Sequence, residues 1–143
     1  MEGVVICPKC NYNPSALVLF AWTLHIPRDP PSLNQRLHNA GGRRWAYKKE
    51  RDQWGLWLKL ARAEQRIPAA TGKRRITLTR MYAGRQKERD QDNLAGGMKT
   101  VVDSLVLTGL LKDDSPRFAE IHYGQERVAA ERVGLEIVVE ELA

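Results

Sequence analysis

Apolar positions recur along this chain in two rhythms, one of strands and one of helices. ALVLFAWTLHI (16–26) is a continuous apolar run rich in β-formers and reads as a buried strand. In KRRITLTRMYA (73–83) the pattern alternates, placing Ile76, Leu78, Arg80 and Tyr82 on one face of a second strand. Between 43 and 66 the period becomes helical. Tyr47, Trp54, Leu58 and Ala61 share a side, Lys48, Lys49, Arg51, Lys59 and Arg62 fill the rest, and Gly55 weakens the helix slightly. Leu94, Met98, Val101, Val102 and Leu105 follow i, i+4, i+7, i+8, i+11, predicting one amphipathic helix of about 15 residues. Gly109 is its expected stop. RFAEIHYG (117–124) and GLEIVVEEL (134–142) read as two strands, expected to pair with each other through a loop at 125–133.

The element order is therefore β-α-β-α-β-β, an α/β (α+β) single small domain with a mixed sheet. The 143 residues suit one domain that buries its own core. Pro8, Asn11, Asn13 and Pro14 break up residues 1–15, read as an N-terminal extension to a domain spanning 16–143. PRDPPSLNQRLHNAGG (27–42) must be a long loop, and long loops in compact domains tend to carry function.

Charge changes the picture. The chain is basic overall, +6 with a pI near 9.6, but unevenly so. Residues 36–80 hold 13 Lys and Arg against 3 acids, while residues 81–143 hold 8 against 12. A basic segment of that density suits a polyanion such as nucleic acid, or else a solvated helix face. No apolar run reaches the ~18 residues of a membrane span. No secretory signal is legible behind Met-Glu-Gly, so the cytoplasm is the expected compartment. Cys7 and Cys10 (CPKC) have the spacing of half a zinc site, with only His25, His38 and His122 as further candidates, none at ligand spacing. The alternatives are zinc shared between chains or a plain thiol pair.

RDQDNLAGGMKTVVDSLVLTGLLKDDSP (89–116) carries the candidate chemistry. On extended backbone Asp90 and Asp92 would project to one side and repel unless a cation sits between them. Mg²⁺ takes such oxygen ligands. Asp113 and Asp114 lie beyond a helix ~22 Å long, so the chain must turn back for a third carboxylate to join, or a second copy must supply it. The plain alternative is that Asp92 caps the helix and KDDSP is an ordinary turn. Lys99, close to two helical turns after Asp92, is placed to meet a phosphate; four residues before Asp103, it is equally placed for a surface ion pair.

This segment resembles the signature of RusA-type Holliday junction resolvases. The family shows Asp-x-Asp-Asn, then Lys-x-x-x-Asp, Gly and Asp-Asp, which here are Asp90, Asp92 and Asn93, Lys99 and Asp103, Gly109, and Asp113 and Asp114. IPRDPPSLNQR (26–36) is similar to the family's loop after the first strand. The resemblance covers about 18–142 in element order and is specific over 89–116. It implies a small α/β homodimer that makes paired, Mg²⁺- or Mn²⁺-dependent nicks in branched DNA during recombination and repair. Asp90, Asp92 and Asp114 are then the metal-binding catalytic carboxylates and Lys99 the catalytic lysine. The stretch from Asp92 to Lys99 is longer here than in the best-known member, and CPKC lies outside the pattern.

Arg43, Arg44, Lys48, Lys49, Arg74, Arg75, Arg85, Lys87 and Arg89 are the expected contacts to the DNA backbone. The alternative function is a non-catalytic basic DNA-binding protein that keeps the aspartates as caps and turns. Trp22, Trp45, Trp54 and Trp57 could stack on bases, but their spacing reads first as core or interface.

Overall fold

A computed structural model describes residues 16–35 and 44–143. The 1–15 extension, with Cys7 and Cys10, lies outside the described residues, as do His38 and Arg43. The elements are β1 (Val18–Ile26), α1 (Arg44–Gln65), β2 (Arg74–Tyr82), α2 (Gln91–Gly97), α3 (Lys99–Leu107), β3 (Ala119–Arg127) and β4 (Gly134–Leu142), with a 3₁₀ turn at Ala130–Arg132. They form one α+β unit around a four-stranded mixed sheet, the class expected.

The sheet order is β1-β4-β2-β3. β4 lies antiparallel between β1 and β2, and β2 pairs parallel with β3. The two last strands therefore do not pair with each other, contrary to expectation. Alternation states which face of a strand is buried but not which strand lies beside it, and β4 gains two partners by inserting between β1 and β2. Register aligns the apolar face: Leu24 and Leu78 both oppose Ile137, and Ile76 opposes Val139. These side chains share one cluster with Trp54 and Leu58 of α1 and Val101 and Leu105 of α3. Each fully buried Leu or Ile there contributes ~1.5–3 kcal/mol.

β1 is an edge strand rather than a buried one. Only Leu24 and Ile26 are buried within it, while Leu19 and Phe20 are 51% and 60% exposed. The single helix expected from the stripe Leu94–Leu105 is two helices broken at Met98 (φ −90°, ψ 9°). Both pieces bury the same side, so the apolar periodicity runs through the break. Gly109 (φ +80°) supplies the left-handed stop after α3 that only glycine adopts without strain.

Candidate functional site

Because β2 and β3 are parallel, residues 83–118 form a crossover from one end of the sheet to the other. The acidic motif occupies this crossover. Its opening turn is tied down by neighbouring side chains that capture its backbone. Arg80 donates to the Lys87 carbonyl at 2.9 Å, and Arg127 donates to the carbonyls of Gly84 and Gln86 at 3.1 and 3.2 Å. The Gln125 amide accepts from Arg89 N at 3.0 Å and donates to Arg89 O at 2.5 Å.

The segment after β1, expected as loop but helical at Leu33–Gln35, closes onto the same turn. The Asp29 carboxylate accepts from Arg80 Nε at 2.8 Å, Arg89 Nη2 at 3.1 Å and Gln86 Nε2 at 3.3 Å. Arg89 Nη1 donates to the Pro30 carbonyl at 2.6 Å. Burial pulls the Arg89 guanidinium below its ordinary value; Asp29 opposes this and Arg80 adds to it. A guanidinium starts high enough to stay charged regardless. Beyond Asp29, Ser32 and Gln35 bond each other's backbone N–H reciprocally at 3.1 and 2.8 Å. Asn34 N donates to Asn93 Oδ1 at 3.0 Å. Gly97 lies so close to Pro31 that a Cβ would overlap the proline carbonyl. The two segments that carry the family resemblance, far apart in sequence, are thus one packed unit.

Within that unit Asp90, not Asp92, is the N-cap of α2: Asp90 Oδ1 accepts from Asn93 N at 2.8 Å. This corrects the assignment of the cap, since the extended segment ends two residues earlier than a cap at Asp92 requires. The cap uses Oδ1 alone. Asp92 sits in the first helical turn, and both carboxylates are exposed. Lys99 opens α3 beyond the break, so helical spacing from Asp92 no longer fixes its side. It is 58% exposed and lies 3.7 Å from Asp103, whose carboxylate also accepts from the Tyr47 hydroxyl.

Asp113 and Asp114 lie at the other end of the crossover. Asp113 Oδ1 accepts from Asp114 N at 2.9 Å, and both residues are exposed. Nearby, Arg74 N donates to Phe118 O at 3.0 Å, fixing this turn at the Arg74 end of β2. Arg89 is fixed at the level of Gln125, opposite Arg80. Six residue steps, from Arg74 to Arg80, therefore separate the strand positions to which the two acidic turns are tied. At ~3.3 Å per residue that is about 20 Å. Among the described residues no three His, Cys, Asp or Glu side chains converge. The chain carries Asp90 and Asp92 at the start of α2 and Asp114 on the turn at the other end of the crossover. Asp90 and Asp92 are oxygen donors of the kind a hard divalent ion takes, and Mg²⁺ is commonly held by one or two carboxylates together with substrate phosphate.

The basic residues divide in the same way. Lys48 and Lys49 on α1, and Arg85 and Lys87 on the crossover turn, are exposed. Arg44 opens α1. Arg74 and Arg75 are buried, which removes them from the expected DNA surface. Arg74 spans the core, donating to the carbonyls of Leu110 and Pro68 and to Glu141, while Arg75 pairs with Glu120 and Glu140. Arg89 is drawn inward to Asp29 and Pro30, so its role is to hold the turn. The alternation of β2 signalled Arg74 in part: it falls on the face of Ile76 and Leu78, and a cation on a core face requires a fixed partner. Asp29, Arg80, Asn34 and Gln125 escaped the sequence reading. The available signal was Arg80 on an apolar face with Asp29 the sole acid of the 27–42 loop.

No helix among the described residues is long and apolar enough to cross a membrane. No family model matches the chain, and no curated protein matches it.

Proposed function

We infer that this protein is a divalent-metal-dependent endodeoxyribonuclease acting on branched DNA, with each active site shared between two copies of the chain. The observation that carries the reading is the junction of loop and acidic turn: Asn34 on Asn93, Pro31 against Gly97, and Asp29 on Arg89. That junction displays two exposed carboxylates on a turn braced from four sides. The resemblance of the same segments to RusA-type resolvases supports the choice of chemistry.

Asp90 and Asp92 from one copy and Asp114 from the other would hold Mg²⁺ or Mn²⁺. The ion, when bound, supplies an activated water and offsets charge on the scissile phosphate. Lys99, exposed at the start of α3, meets the phosphate by exchanging its surface partner Asp103. Lys48, Lys49, Arg85 and Lys87 hold the backbone without reading sequence. A two-fold dimer presents two such sites to a branched, quasi-symmetric substrate.

The test is Asp92→Asn against synthetic four-way junctions with Mg²⁺. Nicking should fall about 10²-fold or more, the scale of losing one preorganised charge-stabilising group, while junction binding persists. Nicking at the wild-type rate would reject the assignment. A second reading, a DNA-binding protein without catalysis, is favoured by the capping role of Asp90 and the Lys99–Asp103 pair. It predicts salt-dependent binding and no divalent-dependent nicking by the wild-type protein.

A further inference from the structure

Where the 28–35 loop leans on α1 there is a cleft of about 340 Å³. Gln53 and Trp57 of α1 line one wall, and Arg28, Pro31 and Gln35 line the other. Trp57 packs edge-on against the buried Trp54, with centroids 5.1 Å apart and planes at 82°, so the core sets the plane of its ring. The exposed Arg28 guanidinium lies over that ring, 5.4 Å from the centroid. A second hollow, lined by Ile26, Leu60 and Ala61, adjoins the same two residues. The Arg28–Trp57 pair is therefore a partition between two open spaces and not a contact sealed in the core.

We propose that this cleft takes one unpaired nucleobase of a DNA substrate, stacked against the Arg28–Trp57 pair with Gln53 at its edge. The inference rests on the DNA reading above and adds the feature of the substrate that is recognised. Charge favours a base over a backbone here. Asp29 and Glu50 line the cleft beside Arg28, so its lining carries no net positive charge to draw a phosphate, while Lys48 and Lys49 stand exposed on the same helix outside it. The backbone then runs over the lysines and the base turns inward. The volume lies at the low end of the ~300–1,000 Å³ typical of small-ligand clefts, room for one base and not for a duplex. Among branched DNAs, flaps and forks offer unpaired bases, and the segment that walls the cleft is bonded to the Asp90 turn through Asn34 and Asn93. A captured base would be held at a fixed offset from the carboxylates.

The experiment measures binding, in EDTA, to a duplex with one extrahelical 2-aminopurine and to the same duplex fully paired. The wild-type protein should prefer the bulged DNA and change its 2-aminopurine emission. Trp57→Ala should weaken bulge binding about tenfold or more, leaving the paired duplex within about twofold, and Trp57→Phe should keep most of the preference. Arg28→Ala, at an exposed position safe for folding, should cost about threefold on the bulged DNA alone, and it decides the matter if circular dichroism shows Trp57→Ala unfolded. Equal wild-type affinity for the two DNAs, or equal losses on both in the variants, overturns the proposal. Because no cleavage occurs in EDTA, this outcome is independent of the nicking result. A wild-type protein that binds neither DNA overturns both readings.

Discussion

Gly97 joins two distant segments by what it lacks. A side chain there would run into the Pro31 carbonyl, a backbone atom that has no rotamer to move. Gly97→Ala should therefore cost about 1–3 kcal/mol, read as a lowered urea midpoint at unchanged slope. Gly96→Ala should cost less, because its Cβ would meet only the Leu33 side chain, at 3.0 Å. Gly55→Ala is the opposite case. Its Cβ would find nothing within 4 Å in the interior of α1, so the exchange should stabilise by up to ~1 kcal/mol through helix propensity alone. The three glycines thus differ in sign and size for reasons that only their spatial neighbours supply.

Among the elements, the 28–35 loop depends on α2 for its placement and α2 depends on the loop for its bend. Asn93→Ala removes the acceptor for Asn34 N and should speed proteolysis and hydrogen exchange within 28–35, at a stability cost near 1 kcal/mol. Equal protection in variant and wild type would show that Gly97 and Asp29 suffice to hold the loop. The existence and type of each strand and long helix were legible in the chain because one buried face imposes one period. Neither the break at Met98 nor the order of the strands was. The periodic stripe of Leu94, Met98 and Val101 stays on one side across the bend, since all three point into the same core. Strand order is a choice among long-range pairings that identical alternation permits. The candidate site was legible as a motif, and Asp90, Asp92 and Lys99 are all exposed. The bracing by Asp29 and Gln125 was hidden because it joins residues far apart in the chain.

At the scale of the whole molecule the two acidic turns stand at opposite ends of a parallel strand pair. Mixing Asp92→Asn with Asp114→Asn protein tests what that implies. If sites are shared between copies, a mixed dimer has one site with neither substitution, and single-strand nicking should return although each variant alone is inactive. If every site lies within one chain, no mixture recovers. The basic surface also contracts at this scale: with Arg74 and Arg75 in the interior, the salt dependence of DNA binding should respond to Lys48, Lys49, Arg85 and Lys87. The distance between the acidic turns follows from how many residues β2 and β3 contain, not from loop composition. The paired strands act as a ruler. Removing two residues from each would draw the turns together by about 7 Å, whereas lengthening the flanking loops would leave the gauge unchanged.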